Sequence, residues 1–184
     1  MKMGRLELII GCMYSGKTTE LMRRVQMYQV LKKKIVVYTH SSDSRYSESG
    51  NIATHNRNIM SAIPLSKLAG SDTKDAYKEA EIVFIEEGQF FPDLVEFVLA
   101  AVNRDNKIVV VSGLDGDFQL NPFENIVRLI PHSEGITKLN ALCKMCGDGT
   151  PACFSKRLVE SKERELVGSD GIYDAVCRYH YYNQ

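Results

Sequence analysis

Hydrophobic and polar positions follow two different periods along this chain. Four short apolar runs read as strands: Arg5-Leu6-Glu7-Leu8-Ile9-Ile10, Ile35-Val36-Val37-Tyr38, Ile82-Val83-Phe84-Ile85 and Ile108-Val109-Val110-Val111. Between the first two, apolar residues at 21, 22, 25, 27, 28, 30 and 31 predict a helix from Thr18 to about Leu31. Lys32-Lys33-Lys34 follows, cationic where the helix dipole favours it. Pro92 predicts the first position of another helix, running to about Asn103. Positions 41–58 are polar and read as a loop. Continuous apolar strands separated by helical segments predict an α/β fold, with a mostly parallel sheet covered on both faces. Near Leu139 the pattern changes to Gly, Cys, Tyr and charged residues, which places a boundary near 140 between units 1–140 and 141–184.

Composition narrows the classes. The chain has 184 residues, 23 Lys+Arg against 23 Asp+Glu, and 44% apolar residues. That is ordinary globular usage. A zero balance disfavours a partner that is a nucleic-acid polymer or an anionic membrane, each of which normally meets a basic excess. No apolar stretch suits a membrane span, and Glu7 interrupts any export signal, so the expected compartment is the cytoplasm. In that compartment the five cysteines are expected to be reduced or metal-bound.

Three constellations carry candidate chemistry. Gly11-Cys12-Met13-Tyr14-Ser15-Gly16-Lys17-Thr18 fits the phosphate-loop pattern at every fixed position, after a strand and before a helix. The glycines let backbone N–H groups converge on phosphate oxygens, Lys17 reaches the β- and γ-phosphates, and the Thr18 hydroxyl ligates Mg²⁺. Glu86 and Glu87 end the third apolar run, where open α/β sheets bind ligands. Side-chain alternation sends them to opposite faces, one toward metal and phosphate and the other toward a substrate hydroxyl as general base. Cys143-x-x-Cys146 and Cys177-x-x-His180 form a four-ligand set for structural zinc, which would staple the base of the loop 147–176. Cys12, Cys153, His40, His55 and His132 read as non-ligands.

Taken together, these segments resemble the type II thymidine kinases, the cytosolic, zinc-containing, phosphate-loop family. The likeness covers about residues 3–182. It also rests on Thr19-Glu20-Leu21-Met22-Arg23-Arg24, Thr54-His55-Asn56-Arg57-Asn58, Phe84-Ile85-Glu86-Glu87-Gly88-Gln89-Phe90-Phe91-Pro92, Gly113-Leu114-Asp115-Gly116-Asp117-Phe118-Gln119 with Pro122-Phe123, Ser155-Lys156-Arg157-Leu158, and Tyr173 with Cys177-Arg178-Tyr179-His180. The resemblance implies a RecA-like ATP-binding domain and a small zinc-stapled lasso domain. It implies transfer of the ATP γ-phosphate to the 5′-hydroxyl of thymidine, or deoxyuridine, in pyrimidine salvage. Glu87 takes the place of the general base. Residues 11–19, Asp43, Arg45, Glu86 and Gln89 fall with ATP and Mg²⁺. Phe90, Leu114, Phe118, Phe123, Ser155 and Tyr173 fall around the nucleoside, together with the lasso residues Arg164, Glu165, Leu166, Val167 and Gly168. A homotetramer inhibited by dTTP is implied as well. Three features depart from the family pattern: Glu86 where an Asp is usual, a longer Gly147–Ala152 segment, and Arg164 where an apolar residue is common.

Rival classes are a phosphate-loop NTPase whose zinc module binds nucleic acid, a GTPase, and a nucleotide sensor without chemistry. Residues 143–184 carry six Lys or Arg and six Asp or Glu, which disfavours the first. The second lacks an Asn-Lys-x-Asp motif, since Asn106-Lys107-Ile108-Val109 has no Asp.

Overall fold

The computed structural model describes residues 3–41, 51–53, 59–161 and 171–183. In chain order the elements are β1 (Arg5–Gly11), α1 (Lys17–Val30), β2 (Ile35–His40), β3 (Asn51–Ala53), β4 (Ile59–Ser61), β5 (Ile63–Leu65), α2 (Asp75–Glu79), β6 (Ile82–Ile85), α3 (Leu94–Asn103), β7 (Ile108–Gly113), α4 (Glu124–Val127), β8 (Gly135–Leu139), β9 (Ala141–Leu142), β10 (Pro151–Ala152), β11 (Phe154–Arg157), β12 (Tyr173–Val176) and α5 (Arg178–Tyr182).

Six of the strands form one sheet in the order β5-β2-β6-β7-β1-β8. Every neighbouring pair in it is parallel. Such a sheet needs cover on both faces, and the alternation of side chains supplies two apolar surfaces. Leu6, Leu8 and Ile10 of β1 join Val83 and Ile85 of β6 and Val109 and Val111 of β7 on one face, under Tyr77 of α2, Leu94 and Val98 of α3, and Ile126 of α4. Ile9, Ile82, Phe84 and Val110 point the other way, onto Leu21, Met22 and Val25 of α1. Successive residues of a buried parallel strand are all apolar because both sides are core.

Three local expectations change. α3 begins at Leu94, two residues beyond Pro92, with Asp93 at its N-cap position. The Asp93 carboxylate accepts from the backbone N–H groups of Leu68 and Ala69, at 3.1 and 2.7 Å, and so joins a neighbouring loop to the helix start. The segment 41–58, expected as a loop, contains β3, which pairs antiparallel with β4. The sheet also has two strands more than the four expected, β5 and β8, one at each edge.

After Leu139, two small antiparallel pairs, β9 with β10 and β11 with β12, enclose a third apolar cluster. It contains Ala141, Cys143, Ala152, Phe154, Ala175, Val176 and Cys177, and it also takes in Cys12 of the phosphate loop. Among the described residues, no helix is long and apolar enough to cross a membrane.

Candidate active site

All six parallel strands end at one edge of the sheet, and the phosphate loop and the two carboxylates lie there. β1 opens directly into the phosphate loop. A Cβ on Gly11 would stand 2.3 Å from the Leu139 carbonyl oxygen, so only glycine lets the loop pass β8. Gly16, in the left-handed conformation (φ 84°), turns the chain into α1. Lys17 is buried, and its ammonium donates to the Cys12 carbonyl at 2.7 Å. Burial pulls its pKa below the usual lysine value, while the charges of Glu87, Cys12, Glu86 and Asp115 oppose that shift. Ser15 donates to the same carbonyl at 2.8 Å. Thr19 stands exposed on the first turn of α1.

β6 delivers the carboxylates. Glu86 is 2% exposed, and its backbone N–H continues the ladder to the Tyr38 carbonyl at 2.8 Å. The Thr18 hydroxyl donates to Glu86 Oε1 at 2.8 Å. Two oxygens on adjacent corners of an octahedral Mg²⁺ shell, each about 2.05 Å from the ion, lie about 2.9 Å apart. The Thr18–Glu86 pair therefore fits such an ion from its own donor atoms. Glu87 does not follow the strand alternation. Its backbone is left-handed (φ 53°, ψ 43°), so a turn at Glu87, rather than the pleat, sets the course of its side chain. The Gln89 side-chain amide donates to Glu87 Oε2, and its Oε1 accepts from the Leu114 N–H at 3.0 Å.

Beside this edge stands a stack of flat groups. The Arg157 guanidinium lies 3.7 Å from the centre of the Phe118 ring and 5.2 Å from that of Tyr173. It also donates to the Tyr173 hydroxyl at 2.7 Å. The Tyr181 hydroxyl donates to the Phe118 carbonyl at 2.7 Å. The sequence reading named Phe118 and Tyr173 but missed Arg157. Its only sequence signal was its place in Ser155-Lys156-Arg157-Leu158. β11 and β10 meet the phosphate loop directly: the Met13 N–H donates to Ser155 Oγ of β11 at 2.9 Å, and the Cys12 thiol to the Ala152 carbonyl of β10 at 3.4 Å. Burial raises the Cys12 pKa. Phe90 packs on His40, with ring centres 5.7 Å apart, and Leu114 lies against the main core. Phe123 is buried in that core at the start of α4, away from solvent. Asp43, Arg45, Arg164, Glu165, Leu166, Val167 and Gly168 lie outside the described residues.

The third constellation converges fully. Ligand atoms of Cys143, Cys146, Cys177 and His180 lie within 4.8 Å of one another. His180 Nδ1 is 3.5, 3.3 and 3.4 Å from the sulfurs of Cys143, Cys146 and Cys177, and the last two sulfurs are 3.8 Å apart. Tetrahedral zinc, with bonds of about 2.3 Å to sulfur and about 2.05 Å to nitrogen, requires edges of about 3.8 and 3.6 Å. The donor set fits it. Burial raises the Cys143 thiol most, but hydrogen bonds from the backbone of Cys177 and Cys146 and from the side chains of Cys146 and His180 together bring it down to about 6. Cys12 and Cys153 stay outside the cluster, as expected.

A phosphate loop at the carboxyl edge of a parallel sheet, facing a Thr–Glu oxygen pair, defines a P-loop nucleotide-binding protein, here with an added Cys₃His metal module. Comparison with known proteins narrows the class. A family model described as thymidine kinase matches residues 4–181. The thymidine kinases of monkeypox virus and of vaccinia virus (strain Western Reserve) are each 45% identical over 178 residues, spanning 97% of this chain and 97% of theirs. That of variola virus is 44% identical over the same length. The chain belongs to the thymidine kinase family.

Proposed function

We propose that the protein transfers the γ-phosphoryl group of ATP to the 5′-hydroxyl of thymidine, and of deoxyuridine, yielding dTMP and ADP for pyrimidine salvage. The observation that carries this reading is the meeting of the phosphate loop and the Glu86–Glu87 turn at one sheet edge, with Thr18 Oγ1 and Glu86 Oε1 2.8 Å apart. Backbone N–H groups of residues 11–19 and the Lys17 ammonium hold the phosphates. Thr18 and Glu86 would hold Mg²⁺, which when bound neutralises charge developing on the phosphates. Glu87 accepts the 5′-hydroxyl proton as that oxygen forms its bond to the γ-phosphorus and the bond to the ADP oxygen breaks. Phe90, Leu114, Phe118 and Tyr173 flank the base, Phe123 supports that wall from the core, and Ser155 ties it to the phosphate loop. Thymine is flat and apolar on its faces, so aromatic and aliphatic walls suit it. Asp43 and Arg45 serve the phosphate and sugar side, and the backbone of residues 164–168 reads the base edge. Cys143, Cys146, Cys177 and His180 hold zinc as a staple, and residues 141–184 act as the unit that closes over the nucleoside. A cytoplasmic homotetramer restrained by dTTP completes the reading.

The deciding experiment supplies purified protein with ATP, Mg²⁺ and labelled thymidine, deoxycytidine or deoxyguanosine in parallel. Thymidine should yield dTMP. Absence of turnover on every pyrimidine deoxynucleoside would sink the kinase reading. Glu87→Gln should lower kcat by at least roughly 10²-fold, the usual worth of a general base, and near-normal turnover would move that role elsewhere.

A further inference from the structure

Glu87 occupies a left-handed backbone conformation (φ 53°) that strains a residue with a side chain, and such a residue persists only where its surroundings over-determine it. The constraints are visible. The Phe90 N–H bonds the Glu87 carbonyl at 3.1 Å and the Phe91 N–H bonds that of Gly88 at 3.1 Å, closing a tight helical turn. The Asn125 amide, from α4, donates to the carbonyls of Gly88, Gln89 and Phe91 at 3.3, 2.9 and 2.9 Å. These bonds fix the backbone of the turn. The carboxylate itself is reached by Gln89.

Gln89 is 6% exposed, and its side-chain amide works in two directions. Its orientation follows from chemistry. The Leu114 N–H can only donate, so the oxygen of the amide must face it, and the NH₂ group is left for the acceptor-only Glu87 carboxylate. Leu114 is the first residue after β7, a central strand, so the amide joins the carboxylate to the rigid frame of the sheet. The approach is close: a Cβ on Gly113 would stand 2.8 Å from Gln89 Oε1.

Resting on Glu87 as the base, we propose that Gln89 is its positioning residue: it aims the Glu87 carboxylate, and acts on the reaction only through it. An N–H donor on one carboxylate oxygen fixes the rotation of that carboxylate. A small misplacement of a reacting group costs a large factor in rate. Other charges share this corner. Lys17 feels Glu87, Glu86 and Asp115, and Asp115 pairs with Lys138 of β8 at 2.8 Å.

Two substitutions separate this role from simple packing. Gln89→Glu keeps the shape and the acceptor for Leu114 but presents a carboxylate oxygen to Glu87. Gln89→Met removes both polar contacts. With Gln89→Glu, kcat at pH 7 should fall tenfold or more. The KM for ATP should change less than about threefold, so that the loss falls on kcat. Gln89→Met should lower kcat similarly in the natural background but less than about twofold in a Glu87→Gln background. A rise in the KM for ATP that accounts for the loss in Gln89→Glu, or an equal loss from Gln89→Met in both backgrounds, overturns the proposal while leaving Glu87 as base. Near-normal activity of Glu87→Gln alone instead removes the base, and this proposal with it. Thermal melting of each variant shows whether a loss reflects unfolding.

Discussion

Arg157 joins two aromatic residues that are far apart in sequence. Its guanidinium stacks on Phe118 and bonds the Tyr173 hydroxyl, so one side chain sets the spacing of two proposed walls of the nucleoside pocket. A desolvated cation–π contact is worth about 2 kcal/mol. Arg157→Met should therefore raise the KM for thymidine roughly tenfold while changing the KM for ATP less, as steady-state kinetics with each substrate varied in turn would show. Equal changes in both constants would mean that Arg157 serves the fold rather than the pocket. Residues at this scale were readable in the sequence where contiguity carried them. The phosphate loop, Glu86-Glu87 and the Cys/His pairs each sit in a few adjacent positions whose spacing has a chemical reason. The roles of Arg157 and Gln89 depend on partners brought together only by the sheet, so no local pattern announces them. The turn at Glu87 was also hidden, because strand alternation gives an equally good account of two carboxylates with different partners until the backbone angle is known.

α1 is the element whose start the site depends on, and its first turns carry a charge network. Glu20 bonds Arg23 at 2.7 Å and Arg24 at 2.8 Å, and Arg24 reaches Glu7 of β1 at 2.7 Å. Hydrogen bonds from Arg23 and then Arg24, against the opposing effect of burial, depress the Glu20 pKa from 4.5 to about 2. A depressed carboxylate stabilises the fold above its unfolded pKa, and that contribution fades as pH falls from about 4.5 toward 2. The network is partly solvated, so each pair contributes only a few tenths of a kcal/mol. Glu20→Gln should lower the urea midpoint slightly at pH 7, and its gap from the natural protein should narrow between pH 5 and pH 3. A constant gap would indicate that the charge of Glu20 plays no part. Long, strongly patterned elements such as α1 and β1 were legible from periodicity. The edge strands were not. β5 is three residues long and contains Pro64, which an edge tolerates because one side of the strand has no ladder to complete. β8, Gly135-Ile136-Thr137-Lys138-Leu139, buries less than the inner strands and gives no continuous apolar run.

Across the whole molecule, the metal cluster and the phosphate loop share one apolar core. Cys12 packs with Cys143, Cys177 and Val176, while Tyr14 and Cys146 lie at its margin. Ligand binding of this kind contributes folding free energy directly. Metal analysis should find about one zinc per chain, and a folded preparation without zinc would refute the site. Stripping the metal with a chelator should abolish phosphoryl transfer while circular dichroism keeps the signal of the main sheet. Activity that survives complete zinc loss would show that the loop holds its shape without the cluster. The two small antiparallel pairs could not be read from composition, because two-residue strands such as β9 and β10 have no period. The sheet order has a temporal consequence as well. β1 is made first, yet its neighbours are β7 and β8, whose last residue is Leu139. Contacts across such long chain separations are intrinsically slow to form. During synthesis the strand before the phosphate loop waits for β7 until about three-fifths of the chain has emerged and for β8 until about three-quarters, so nucleotide binding becomes a late event in the life of each new molecule.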